Sequence, residues 1–177
     1  MSLEFTQESK TKIDAVLAKY PNQMAATLPL LWIVQEQEGY VSDDAVQLVA
    51  NTLELPASHV HGVVTFYTMY NREPKGKLHI QVCTNVACML RGAYDVLKAF
   101  EKKCGVKAGQ AGNTDYTVQE VECLAACGTA PCVQINEDYY EPVLPEDVGR
   151  VIEEAMAAAK AKPSSAAKSS AAIEKSE

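Results

Sequence analysis

The sequence predicts a protein of mixed helix and strand, α+β or α/β, with an N-terminal helical bundle followed by a domain built on a mixed sheet. Apolar residues recur at helical spacing from residue 7 to about residue 70, and short alternating apolar runs begin at residue 77. Between the two patterns lies the turn-rich segment NREPKG, residues 71–76. We therefore expect one domain at residues 1–73 and a second at residues 74–161.

The first domain contains clear signals for the start and end of its helices. Pro21 stops the first helix, Gly39 is a natural C-terminal cap for the second, Ser42 can cap the start of the third, and Pro56 ends it. These signals predict helices at residues 7–20, 27–38, 42–55 and 59–70.

The second domain alternates between strand and helix patterns, and polar residues 136–138 suit a hairpin turn. The predicted order is strand 77–83, helix 89–103, strand 116–121, strand 132–136, strand 139–143 and helix 146–160. Residues 162–177 are low in apolar residues and rich in Ser, Ala and Lys, so we expect a disordered low-complexity tail.

Four cysteines follow the first two predicted strands of this domain. Cys83 and Cys88 lie in CTNVAC, and Cys123 and Cys127 lie in CLAAC. Two neighbouring strands that end in cysteine loops would bring four sulfurs to one edge of a sheet. Soft thiolate ligands select zinc, copper(I) or iron-sulfur clusters. Structural zinc favours narrow Cys-x2-4-Cys loops, whereas a C-x4-C opening recurs in plant-type 2Fe-2S ferredoxins; spacing alone leaves both open.

Other interpretations of the sulfurs fit less well. Thiol-disulfide chemistry prefers a C-x2-C pair, and a Rieske centre needs two histidines in loops that here contain none. The histidines, His59, His61 and His79, are expected to be surface or packed residues. Cys104 is expected to be a bystander thiol, and Cys132 a small buried residue beside the site.

Composition excludes several classes of function. The formal net charge of -7 and the absence of a basic patch argue against nucleic-acid binding. No stretch is apolar enough for a membrane span, and the N-terminus MSLEFTQESK lacks the features of a secretion signal, so we expect a cytoplasmic protein without direct membrane insertion. No Walker loop or G-x-G-x-x-G pattern predicts nucleotide binding by this chain.

Four segments carry a resemblance to a known family: HGVVTFYTMYNREPKGK, CTNVAC, ECLAACGTAPCVQIN and DYYEPVLPEDV. Over about residues 8–160 the chain resembles the thioredoxin-like 2Fe-2S E subunits of bacterial NADH-quinone oxidoreductase, complex I. The resemblance implies a thioredoxin-like 2Fe-2S ferredoxin domain at residues 74–161. It also implies one 2Fe-2S cluster held by Cys83, Cys88, Cys123 and Cys127. A departure is Cys132, where the family usually has an apolar residue such as Met or Val.

The same resemblance implies a function. The chain would exchange single electrons with the FMN of the F subunit, the partner that binds FMN and NAD(H), and would contact further subunits of the peripheral arm. It would be a subunit of an enzyme, not catalytic alone, peripheral on the inner membrane through the complex. The alternatives are an equivalent subunit of an NAD-linked hydrogenase or formate dehydrogenase, and a zinc-stapled interaction module.

The helical domain is expected either to dock a partner or to cover one face of the sheet. Phe66, Tyr67 and Tyr70 are expected to be exposed aromatic residues.

Overall fold

The computed structural model describes residues 3–110 and 112–161, and the chain divides into two compact units between Pro74 and Lys75. The predicted tail at residues 162–177 lies outside the described residues. In chain order the helices and strands are α1 Gln7–Leu17, α2 Thr27–Glu38, α3 Asp43–Leu53, α4 Ala57–Phe66, β1 Leu78–Cys83, α5 Val86–Leu90, α6 Ala93–Cys104, β2 Tyr116–Val121, β3 Val133–Ile135, β4 Asp138–Tyr140 and α7 Val148–Ala161.

The helices of the first unit begin and end at residues whose chemistry explains the boundaries. Thr6 caps α1 by accepting a hydrogen bond at Oγ1 from the backbone N–H of Ser9, at 3.2 Å. Ser42 caps α3 in the same way, through the N–H of Ala45 at 3.2 Å. Gly39 ends α2 with a φ of 87°, a left-handed conformation that glycine adopts without steric cost.

The core of the first unit lies among α2, α3 and α4. The buried side chains of this core include Leu30, Leu31, Val34, Val49, Leu53, Val60 and Val64. The buried Gln35 ties the segment after α4 to this core: its Nε2 donates to the carbonyl of Met69 (3.1 Å), and its Oε1 accepts from the N–H of Asn71 (2.7 Å). Both the nitrogen and the oxygen of the Gln35 side-chain amide are thus hydrogen-bonded, as buried polar groups require.

The largest differences from the sequence-based expectation in the first unit are the ends of α1 and α4 and the exposure of Tyr70. α1 ends at Leu17 and not at residue 20, because the N–H of Lys19 bonds the carbonyl of Val16 in a tighter final turn. α4 ends at Phe66 and not at residue 70, because the chain turns there and buries Tyr70, which is only 4% exposed. The Tyr70 hydroxyl donates to the carbonyl of Leu28 at 2.9 Å, so the prediction that Tyr70 is exposed was wrong.

The described residues of the second unit form a mixed sheet with strand order β2-β1-β3-β4. β1 and β2 are parallel, in register from Leu78 opposite Tyr116 to Cys83 opposite Val121. β3 runs antiparallel to β1, and β4 runs antiparallel to β3. Helices pack on the central strand β1, whose Leu78, Ile80 and Val82 are fully buried together with Phe100 of α6 and Val151 of α7. The predicted fold class, a helical bundle followed by a domain with a mixed sheet, is confirmed.

The single helix predicted at residues 89–103 is instead two helices. Gly92 separates α5 from α6 with a φ of 92°, a conformation that favours glycine over any other residue. The last two strands are shorter than predicted: β3 ends at Ile135 because Asn136, with a φ of 56°, begins the turn to β4, and β4 ends at Tyr140. The side chain of Asn136 accepts from the N–H of His79 (2.9 Å) and donates to the carbonyl of Lys77 (3.1 Å).

His79 supplies a test of the sheet through the pH dependence of stability. Burial lowers its pKa to about 4, although a hydrogen bond from its Nε2 to Gln119 at 2.9 Å acts in the opposite direction. The unfolded chain then binds the proton more readily, so the stabilisation is complete above about pH 6.5 and is lost as the pH falls towards 4. When the pH is lowered from 7 to 5, protonation of this group in the unfolded chain is expected to reduce the free energy of unfolding by about 2 kcal/mol.

Urea unfolding of the wild type and of His79→Gln at the two pH values measures that difference. The variant is expected to lose about 2 kcal/mol less than the wild type between pH 7 and pH 5. The matched control, His61→Gln, removes an exposed histidine and should follow the wild type. Equal losses in the wild type and His79→Gln would show that His79 is not buried as a neutral imidazole.

Candidate metal centre

The first cysteine pair is positioned by the end of β1 and by the short helix that follows. Cys83 is the last residue of β1, and its backbone N–H bonds the carbonyl of Cys132 at 3.1 Å. Cys88 lies inside α5, which begins after Asn85, whose Oδ1 accepts from the N–H of Val86 at 2.7 Å. The second cysteine of this pair therefore sits on a helix and not in an open loop.

The second pair follows β2, at the same edge of the sheet, because β1 and β2 are parallel. The Sγ of Cys123 accepts a hydrogen bond from the N–H of Ala125 at 3.3 Å, and Ala125 has a φ of 59°. Cys127 begins a short 3-10 turn, Cys127–Thr129. The thiols of Cys123 and Cys127 are both exposed.

The structure brings Cys83 and Cys88 together directly. They are 3% and 2% exposed, and they share a buried cluster with Ala93, Ala130 and Cys132. Burial raises the pKa of Cys88, the neighbouring Cys83 adds to the rise, and a backbone hydrogen bond from Cys132 opposes it. Cys127 is also near enough to raise the pKa of Cys88 electrostatically.

The four sulfurs are arranged as a buried pair and an exposed pair. Across residues 3–110 and 112–161, no three His, Cys, Asp or Glu side chains converge tightly enough to hold one metal ion. All six cysteines are free thiols. The donor set offered at this edge of the sheet is therefore four free thiols contributed by two segments.

The two remaining cysteines lie in different surroundings. Cys132 is fully buried beside Cys83 and Cys88, and burial, together with the neighbouring Glu141, raises its pKa to about 12. It follows Pro131, whose peptide bond with Ala130 is cis. Cys104, the last residue of α6, is buried in the apolar core of the second unit, where burial raises its pKa to about 11.

Two polar pairs beside the cysteines were not found from the sequence. Thr84 bonds Glu120, and Thr129 bonds Glu141, each at 2.7 Å. The members of the first pair are separated by 36 residues in the chain and those of the second by 12. No local pattern marks such contacts, which depend on strand pairing and on the path of the chain after β4.

Comparison with known proteins identifies the class of protein that this fold and cysteine set define. The family model described as "Thioredoxin-like [2Fe-2S] ferredoxin" matches residues 13–156, and the chain belongs to that family.

Two individual proteins are similar in sequence to most of this chain. The chain is 42% identical over 153 residues to the E subunit of NADH-quinone oxidoreductase from Rickettsia conorii, a match that covers 84% of this chain and 92% of the relative. It is 40% identical over 142 residues to "NADH dehydrogenase [ubiquinone] flavoprotein 2, mitochondrial" of Dictyostelium discoideum, a match that covers 78% of this chain and 58% of that protein.

A solved structure shares the fold. The crystal structure of an NAD+-reducing [NiFe]-hydrogenase in its H2-reduced state matches with a TM-score of 0.62 at 17% identity. The match covers 77% of this chain and 22% of the hydrogenase chain, so this chain corresponds to a small part of it.

The residues present fit the cofactor that the family name specifies. A 2Fe-2S cluster is held by four cysteine thiolates, and four free thiols stand at one edge of the sheet. Two of them are buried among apolar residues, and two face solvent.

In the part of the chain that the structure describes, no helix is long and apolar enough to cross a membrane.

Proposed function

We propose that this chain is the electron-transfer subunit of an NADH-quinone oxidoreductase, complex I, and carries one 2Fe-2S cluster. The observation that carries the proposal is the 42% identity to the E subunit of such an enzyme, which extends over 84% of this chain and 92% of that relative. Membership of the thioredoxin-like 2Fe-2S ferredoxin family indicates which cofactor the chain carries. The chain is thus one component of an oxidoreductase that works as a multi-subunit complex.

The cluster ligands in this proposal are Cys83, Cys88, Cys123 and Cys127. The positions of these residues support the assignment. Parallel pairing of β1 and β2 brings the ends of both strands, with the cysteine segments, to one edge of the sheet. Cys83 and Cys88 form the inner side of the site, where the apolar cluster around them excludes water. Cys123 and Cys127 form its outer side, which faces solvent and is accessible to a partner.

When bound, a 2Fe-2S cluster supplies one-electron exchange to the protein. The chain's own part is to fix the ligands and their hydrogen bonds. The N–H of Ala125 donates to the Sγ of Cys123 at 3.3 Å, and such bonds to sulfur help to set a reduction potential.

The partner in this proposal is the flavin-carrying F subunit, which binds FMN and NAD(H), together with further subunits of the peripheral arm. NADH releases two electrons as a hydride, whereas the site on this chain handles one at a time. A flavin on a neighbouring subunit connects the two kinds of transfer. This chain has no glycine-rich dinucleotide signature of its own. In this proposal it is associated with the inner membrane only through the other subunits of the complex.

Co-purification tests this assignment against its nearest alternatives. A tagged full chain, expressed in its own host, is expected to bring down a flavin-containing subunit and, through the complex, the membrane subunits of a quinone reductase. Recovery of hydrogenase or formate dehydrogenase subunits instead would contradict the complex I assignment while leaving the cluster itself in place.

A further inference from the structure

Two threonine-glutamate pairs adjoin the cysteine segments: Thr84 directly follows Cys83, and Thr129 lies two residues after Cys127. One joins the segment after β1 to β2, and the other joins the segment after Cys127 to the end of the β3–β4 hairpin. In each pair a threonine hydroxyl donates to a carboxylate oxygen at 2.7 Å. Both carboxylates belong to exposed residues.

The first pair is Thr84 and Glu120. Thr84 directly follows Cys83, and its N–H bonds the carbonyl of Val121 at 3.1 Å. Its Oγ1 donates to the Oε1 of Glu120. The backbone bond extends the pairing of β1 and β2 by one residue, and the hydroxyl bond fixes a carboxylate at the edge where both cysteine segments begin.

The second pair is Thr129 and Glu141. Thr129 ends the turn that Cys127 begins, and its Oγ1 donates to the Oε2 of Glu141. The nearby carboxylate of Glu141 also raises the pKa of the Cys132 thiol, which is buried with Cys83 and Cys88. This glutamate is therefore fixed to the segment that carries Cys127, and its charge acts on the buried part of the site.

We propose that Glu120 and Glu141 lower the reduction potential of the site and that Thr84 and Thr129 are positioning residues that hold the two carboxylates beside it. The inference rests on the proposed function, because it requires the cluster to be bound. Reduction adds one electron, and therefore one negative charge, without making or breaking a bond. A neighbouring carboxylate opposes that change, and the neutral hydroxyl that holds it leaves its charge in place.

The size of the effect follows from Coulomb's law. Before screening by salt, a charge taken to lie about 10 Å from the cluster, at an effective dielectric constant of about 40 to 80, changes the equilibrium between the oxidised and reduced forms about two- to fourfold. For a one-electron couple, at 59 mV for each factor of ten, this corresponds to about 18 to 36 mV for each carboxylate. Low ionic strength keeps most of that effect.

Redox titration of the full, cluster-loaded chain at pH 7 and low ionic strength tests the inference. The oxidised and reduced forms are followed by visible absorption and electron paramagnetic resonance, with dithionite as the electron donor. Glu120→Gln and Glu141→Gln keep an oxygen that accepts from threonine but remove the charge. Each is expected to favour the reduced form about two- to fourfold, and the double variant should show about the product of the two factors.

The sheet offers a matched control in Glu137→Gln. Glu137 lies in the β3–β4 hairpin beside Asn136, which bonds Lys77 and His79 at the opposite end of β1 from Cys83. The length of β1 places it roughly 17 Å from the site, where both distance and salt screening weaken its effect on the cluster relative to that of a carboxylate next to the cysteine segments. Its substitution is expected to shift the potential clearly less than Glu120→Gln or Glu141→Gln does.

Threonine variants test the positioning step. Thr84→Val and Thr129→Val keep both charges but release a carboxylate into solvent, so a smaller rise of the potential in the same direction is expected. If Glu120→Gln and Glu141→Gln shift the potential no more than Glu137→Gln does, in a chain that holds its cluster, the inference is wrong. A wild-type chain without a 2Fe-2S spectrum would contradict the proposed function itself.

Discussion

Cys127→Ser is expected to lose the 2Fe-2S cluster or to hold it only weakly. Serine offers a harder and far less acidic ligand than a thiol, and iron-sulfur clusters depend on soft thiolates. Cys83→Ser, Cys88→Ser and Cys123→Ser should behave alike, because each thiolate supplies one of the four bonds to iron in this proposal. Iron content and visible absorption of each purified variant measure the loss.

The other two cysteines are the matched controls. Cys104→Ser should keep full iron. A hydroxyl at this position, in the apolar core at the end of α6, is expected to lower the free energy of unfolding by about 1 to 3 kcal/mol. Cys132→Val keeps an apolar side chain at a fully buried position and should retain iron and an unchanged spectrum. Loss of iron in Cys132→Val with retention in Cys127→Ser would move the fourth ligand to Cys132.

Removal of residues 1–74 is expected to leave a coloured, cluster-bearing domain that no longer associates with the flavin-carrying partner. All six cysteines, and the whole sheet that positions the four proposed ligands, lie in the second unit, which has its own buried core. The first unit carries exposed apolar side chains suited to a partner, among them Phe66 at 76% and Met24 at 56% exposure. Cutting after Pro74 removes Asn71 together with its partner Gln35.

Pull-down of the flavin-carrying partner by the truncated and the full chain, at equal iron content, measures the difference. Undiminished association of the truncated chain would show that the helical unit is not the docking element. Phe66→Ser in the full chain tests whether this ring contributes to the association, because the exposed side chain can be removed without changing the core of the bundle.

The sequence predicted those parts of the structure that depend on neighbours along the chain. Ser42 and Gly39 mark helix boundaries by their own side-chain and backbone chemistry, and the structure has the cap and the left-handed residue where they were expected. The order of strands and helices in the second unit also followed from local patterns. The two cysteine segments follow neighbouring strands at one sheet edge, as the alternating apolar runs predicted, and the structure shows that these strands, β1 and β2, pair in parallel.

Features that depend on distant contacts were missed or wrong. Nothing near Tyr70 indicates that its ring is buried, because the carbonyl that accepts from its hydroxyl belongs to Leu28, 42 residues earlier. Gly92 lies in a helical pattern, and only its left-handed backbone shows that α5 and α6 are separate. The threonine-glutamate pairs likewise join residues brought together only by the completed sheet and hairpin.

Metal and sulfide analysis of the purified full chain tests the central claim most directly. The account predicts two irons and two acid-labile sulfides for each chain, with a visible 2Fe-2S spectrum and a paramagnetic signal after one-electron reduction. A colourless protein with one zinc and no labile sulfide would contradict it, and would make the four cysteines a structural staple instead of an electron-transfer site.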